Sequence, residues 1–150
     1  EKINIELKGS SQLGLSDLVQ LIKEYQMEQK ILVVSFSYNV IKKFRKISNN
    51  QIATAASKSD IMRMIYFGKL PWYKIRFDAF QIPFYSKKVE RYGLKNTEWI
   101  GKMRSKGMEV HYWTVDNSED IKKAFSIGAG GVITNKPKIA YDLLVQMGKR

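Results

Sequence analysis

Glu6 and Lys8 place a carboxylate and an ammonium two residues apart in the run Ile3-Asn4-Ile5-Glu6-Leu7-Lys8. Ile5 and Leu7 alternate with Asn4, Glu6 and Lys8, which is the period of a β-strand, so the polar residues share one face. On the inner face of a buried strand both charges would need compensation, and a metal ion together with a phosphate would compensate both. On an edge strand with one wet face the pair would simply be solvated. The chain has no cysteine and one histidine, His111. That excludes disulfides, thiolate metal sites, cysteine nucleophiles and any site that needs two histidines from this chain alone. It leaves the compartment unassigned, because a cysteine-free chain suits either redox environment.

The elements that must hold these residues alternate along the chain. With 150 residues and 44% hydrophobic content, one domain with a real core is expected. No apolar run approaches the roughly 18 residues of a membrane helix. No signal-peptide pattern is present, and the sequence opens on Glu1 rather than Met, so further sequence upstream is expected. After the first strand, Ser16 is placed to cap a helix with Leu18, Leu21, Ile22 and Tyr25 at helical spacing. Residues 31–36 form a continuous apolar run of the kind that doubly covered parallel strands show. A helix follows, with Val40, Ile41, Phe44 and Ile47 inward and Lys42, Lys43, Arg45 and Lys46 outward. Residues 52–56 are read as a strand, and Ser59-Asp60 as the start of a third helix that stops near Gly68. An irregular strand region spans 73–82, and Asn96 caps a helix closed by Gly107. A strand over 109–115, a helix capped by Ser118, a strand over 131–134 and a helix opened by Pro137 complete the order. Six strand–helix alternations favour a parallel sheet with helices outside. The commonest closed form of that pattern has eight units and about 250 residues.

The net charge of +12 favours anionic partners: phosphoesters, nucleic acid or an anionic membrane surface. Lysine outnumbers arginine 20 to 6, which suits a solvated surface better than a set of planar phosphate clamps. No nucleic-acid motif accompanies the charge, so nucleic acid is not expected as a partner. Trp72, Tyr73, Phe77, Phe80, Phe84 and Tyr85 form an aromatic-rich stretch, read first as core and second as a substrate mouth or lipid interface.

Three segments together resemble the glycerophosphodiester phosphodiesterase family. Ile5-Glu6-Leu7-Lys8 resembles its Ile-Glu-x-Lys strand, and Val34-Ser35-Phe36 its Ser-Phe strand end. Trp113-Thr114-Val115-Asp116, followed by Val132-Ile133-Thr134-Asn135-Lys136-Pro137, is similar to its Trp-Thr-Val-Asn and Gly-Ile-Ile-Thr-Asp-x-Pro segments. No single element is specific; their order and spacing jointly are, over nearly the whole chain. The resemblance implies an α/β fold of (β/α)₈ TIM-barrel type, incomplete here with about six of eight units. Residues 1–150 would be the C-terminal portion of a single phosphodiesterase barrel domain. It implies Glu6 as a metal ligand, Lys8 as the catalytic lysine beside the scissile phosphate, and Trp113 as a wall of the substrate pocket. It implies a divalent metal ion, Mg²⁺ or Ca²⁺, in the complete enzyme, and a glycerophosphodiester as substrate.

The family's His-Arg-Gly, Glu-x-Asp and His-Asp segments have no counterpart here. Two catalytic histidines and two of three metal carboxylates would come with them, so this chain alone is expected to be inactive and to bind metal weakly or not at all. Asp116, Gly130 and Asn135 depart from the usual Asn, Asp and Asp, and Asn135 is still able to cap the last helix. His111 is read as a hydrogen-bonded histidine below the active rim rather than a substitute acid–base group. With six strands, the first and the last are left as open edges. A missing N-terminal segment or a second copy of the chain is expected to cover them. The alternative, from another functional class, is a non-catalytic partial-barrel module that binds a partner or anionic lipid head groups.

Overall fold

The computed structural model describes residues 2–9, 11–68, 70 and 72–148, and the side chains of these except Gln12. The described chain runs β1 (Ile3–Glu6), α1 (Gln12–Glu24), β2 (Ile31–Val34), α2 (Tyr38–Ile47), β3 (Ala53–Thr54), α3 (Lys58–Phe67), β4 (Ala79–Pro83), α4 (Lys87–Arg91), α5 (Thr97–Arg104), β5 (Glu109–Trp113), α6 (Ser118–Ser126), β6 (Gly131–Val132) and α7 (Pro137–Gln146). It divides into two compact units, Glu1–Ala79 and Phe80–Arg150.

In the first unit β1, β2 and β3 form a parallel sheet in that order. Ile3 pairs with Ile31 and Glu6 with Val34, so the first two strands end level. Ala55 adds an isolated parallel bridge to Ala79. The core comprises Leu15, Val19 and Ile22 of α1, Ile31 and Val33 of β2, Val40, Ile41 and Phe44 of α2, and Ile52. The buried stripe of α1 differs from the expected one, and Leu21 and Tyr25 are exposed. The helix begins at Gln12, well before Ser16. Leu15 therefore joins the helix, and the i, i+4, i+7 face through Val19 and Ile22 turns inward.

Helix α3 also starts earlier than its sequence suggests. Ser57 is the N-cap, and Asp60 closes a reciprocal capping box from the third helical position. The Asp60 N–H donates to Ser57 Oγ at 3.2 Å, and the Ser57 N–H donates to Asp60 Oδ2 at 3.0 Å. Arg45 is the other correction: expected on the solvated face of α2, it is only 6% exposed. Its guanidinium donates to Thr54 Oγ1 at 2.9 Å, Ala55 O at 3.1 Å and Asp60 Oδ2 at 3.2 Å. A buried cation needs such partners, and here they come from β3 and α3.

In the second unit the sheet order is β4-β5-β6, with His111 opposite Gly131 and Tyr112 opposite Val132 in a parallel pair. Val110 and Tyr112 are fully buried on one face of β5, while Glu109, His111 and Trp113 occupy the other. Burial pushes the Tyr112 phenol above its ordinary range, and its hydroxyl donates to Leu94 O. Gly131 leaves room for the histidine opposite it: a Cβ there would stand 3.2 Å from His111 Cδ2. The irregular 73–82 region narrows to β4, which includes Pro83, and α4 was not anticipated. The caps are Asn96 for α5 and Asn117, not Ser118, for α6. Of the aromatic-rich stretch, Phe77, Phe80 and Phe84 are buried, whereas Trp72 and Tyr85 are exposed. Among the described residues β1 pairs only with β2 and β6 only with β5, and no helix is long and apolar enough to cross a membrane.

Candidate functional site

Glu6 is the last residue of β1 and Lys8 stands just beyond it, so both lie at the C-terminal end of a parallel strand. That is the end at which parallel α/β sheets collect their chemistry. Lys8 Nζ lies 2.7 Å from Glu6 Oε1, with the two side chains 78% and 33% exposed. The strand is not buried: Ile3, Asn4 and Glu6 are exposed and only Ile5 is half-buried. The compensation expected from a metal and a phosphate is supplied within the described chain by the partner residue itself. An exposed pair of this kind adds little stability. The ammonium can therefore leave for another anion at small cost.

Residue Ser35, quoted in the sequence only as part of a strand end, holds this segment in place. Its buried hydroxyl donates to Leu7 O at 2.9 Å, and the Leu7 N–H donates to Val34 O at 2.8 Å. Leu7 lies between Glu6 and Lys8, so both of its backbone groups are fixed to the end of β2. The Ser37 N–H in turn donates to Ser35 Oγ at 3.3 Å, tying the start of α2 to the same hydroxyl. The sequence carried the residue but not the bond, because the partner is 28 positions away.

In the second unit Trp113 ends β5, half-buried, on the face it shares with His111 and Glu109. Its carbonyl accepts the Phe84 N–H at 2.7 Å. Three residues further, Asp116 meets Asn135. The Asp116 Oδ1 accepts the Asn135 N–H at 2.7 Å and the Thr134 hydroxyl at 2.9 Å, and Oδ2 accepts Asn135 Nδ2 at 3.0 Å. These bonds, from Asn135 first and then Thr134, hold the Asp116 carboxyl below the usual carboxylate range. The two sequence departures at 116 and 135 thus form a single bonded pair, with the amide and the carboxylate exchanged. Asn135 does not cap α7; Lys136 is its N-cap and Pro137 its first residue.

Among the described residues no group of three or more His, Asp or Glu side chains could hold a metal ion. Glu6 offers one carboxylate, already paired with Lys8, whereas a hard divalent cation takes about six oxygen ligands. The described residues therefore do not build a divalent site by themselves.

Comparison with known proteins follows the whole chain. Residues 4–139 match the family described as "Glycerophosphoryl diester phosphodiesterase family". A protein named glycerophosphodiester phosphodiesterase from Caldanaerobacter subterraneus subsp. tengcongensis is 24% identical over 151 residues, covering 97% of this chain and 56% of its own. Lysophospholipase D GDPD1 of Homo sapiens is 24% identical over 163 residues, covering 95% and 52%. The chain spans about half the length of the curated relatives it matches. Among solved structures, a putative glycerophosphodiester phosphodiesterase from Galdieria sulphuraria superposes with a TM-score of 0.69 at 18% identity, covering 96% of this chain and 57% of that one. An Oleispira antarctica phosphodiesterase in complex with the product sn-glycerol-3-phosphate superposes with a TM-score of 0.63 at 14% identity, covering 96% and 55%. This likeness gives the fold class, α/β of (β/α)₈-barrel type, of which the described residues carry six strands with their helices.

Proposed function

We propose a function from a premise that the family match establishes: the chain belongs to the glycerophosphoryl diester phosphodiesterase family. The complete protein hydrolyses a glycerophosphodiester to an alcohol and glycerol 3-phosphate. Residues 1–150 are the C-terminal portion of its single barrel domain. The observation that carries this reading is the Glu6–Lys8 pair, anchored through Leu7 at a strand's C-terminal end, within a match that runs through both units.

The phosphodiester is anionic and repels nucleophiles. Hydrolysis adds a water oxygen to phosphorus and breaks the phosphorus–oxygen bond to the alcohol, which leaves with a proton. Negative charge grows on the phosphoryl oxygens, and a fixed ammonium beside them stabilises it. Lys8 fills that role, released from Glu6 as the phosphate arrives. Ser35 holds the intervening backbone, so the main chain from which Lys8 reaches the phosphate is fixed at the strand end. Trp113 forms a wall of the substrate pocket. Proton transfer falls to the histidines of the family's N-terminal segments, so the 150-residue chain by itself is inactive. Glu6 is one ligand of a divalent cation, Mg²⁺ or Ca²⁺, which would neutralise the diester. The described residues do not fit that ion alone, and its other ligands belong to the same N-terminal segments.

The test is release of glycerol 3-phosphate from a panel of glycerophosphodiesters by the complete protein, with calorimetric titration of Mg²⁺ and Ca²⁺ into it and into its Glu6→Gln variant. Release from at least one substrate, with metal affinity lowered by Glu6→Gln, is expected. No release from any substrate would favour the non-catalytic module, and micromolar metal binding that survives Glu6→Gln would remove Glu6 from the ligand set.

A further inference from the structure

We propose that the first unit carries a membrane-docking site, a basic cleft with an exposed aromatic rim that seats the phosphate head groups of an anionic bilayer. The cleft has a volume of about 560 Å³, between α2, α3 and the segment leading into β4. Six cations line it: Lys42, Arg45, Lys46, Arg63, Lys74 and Arg76. Arg45 is committed to Thr54, Ala55 and Asp60, and Asp60 in turn to Arg45 and Ser57. The other five form no ion pair with a carboxylate among the described residues. Asp78, in an adjoining cleft, accepts the Thr54 N–H. Two of the five cations gather on one ring: the Arg63 guanidinium lies 4.1 Å from the centroid of Tyr38 and Lys42 Nζ 6.0 Å from it. Five like charges around one concavity repel one another, and an anion placed there relieves that repulsion.

The choice between a soluble phosphate and a membrane rests on what surrounds the cleft. Trp72 is 67% exposed, and with Tyr66 and Phe67 it forms a strip of large aromatic side chains facing water. The ring of Phe67 lies 6.2 Å from Trp72 and 6.5 Å from Tyr66. A small soluble anion would account for the cations and leave this strip unexplained. An anionic bilayer accounts for both, since aromatic rings lodge at the interface while lysine and arginine meet the head groups.

Co-sedimentation with vesicles tests the proposal without any turnover. One set is phosphatidylcholine alone; the other is phosphatidylcholine and phosphatidylglycerol in equal parts. The chain is expected to bind the mixed vesicles and not the neutral ones, more weakly as salt rises. Each lost cation should lower the affinity roughly fivefold, so Lys42→Gln/Lys46→Gln should lower it about 25-fold. Trp72→Ala should lower it as well and abolish a blue shift of the tryptophan emission. All three side chains are exposed, so the variants should melt with the parent. Equal binding to both vesicle types, no binding to either, or variants that bind like the parent would overturn the proposal. So would micromolar binding of inorganic pyrophosphate, measured by calorimetry, without vesicle binding; that result would reassign the cleft to a soluble phosphate.

Discussion

Replacing Arg45 by methionine should destabilise the protein severely, although helical periodicity places it beside three solvated lysines. The side chain is 6% exposed and donates to Thr54, Ala55 and Asp60. Methionine would fill much of the volume but leave the Asp60 carboxylate buried without a cation. Breaking a buried pair from one side costs about 3–5 kcal/mol. Asp60 keeps the Ser57 N–H and hydroxyl as donors at 3.0 and 2.9 Å, which points to the lower end of that range. The lost bonds to the Ala55 carbonyl and the Thr54 hydroxyl add roughly 1 kcal/mol between them once methionine's own burial is counted. About 4 kcal/mol is expected, a large part of the roughly 5–15 kcal/mol that holds a typical domain. Urea unfolding of the parent, Arg45→Met, Asp60→Asn and the double variant measures it. The double variant should cost at least about 1 kcal/mol less than the two singles summed, as residues in one network do. Lys43→Met is the control, with a change within about 0.5 kcal/mol. An Arg45→Met variant as stable as that control would refute the buried-network reasoning.

Ser35→Ala removes the hydroxyl that holds Leu7. It should lower stability by about 1 kcal/mol and kcat/KM of the complete protein by at least about tenfold, while Ser35→Thr restores much of both. Asp116 gives an acid-side prediction. Its carboxyl sits below the ordinary range when folded, so its contribution is complete above the unfolded value and is lost as pH falls through the folded one. Thermal melts across acid pH should show Asp116→Asn with a shallower acid limb than the parent. The exchanged pair Asp116→Asn/Asn135→Asp should recover more stability than either single variant, measured in the same melts.

The strands with the strongest signals were legible because their side chains face uniform environments. The apolar run of β2 and the alternation of Val110 and Tyr112 in β5 need only burial on known faces. The stripe of α2 was legible through Val40, Ile41 and Phe44. Arg45 was not, because it lies on the flank of that stripe, and only the arrival of Asp60 and Thr54 from later elements decides that it is buried. On α1 the error was one of phase, set by where the helix begins. At the site, Glu6 and Lys8 were legible as an adjacent pair because strand periodicity acts over two residues. Their anchor at Ser35 and the pairing of Asp116 with Asn135 were not, since both bonds join the ends of different parallel strands. Nor could composition separate buried Phe77 from exposed Trp72; the path of the segment between α3 and β4 determines that.

The central claim is that Lys8 serves chemistry rather than folding, and its most direct test is the Lys8→Ala variant of the complete protein. Steady-state hydrolysis of a glycerophosphodiester should show kcat/KM lower by roughly 100-fold or more, the scale of losing one group that stabilises a developing oxyanion. The thermal midpoint should stay with that of the parent, since the Lys8 side chain is 78% exposed. A variant with full activity, or one that no longer folds, would contradict the account.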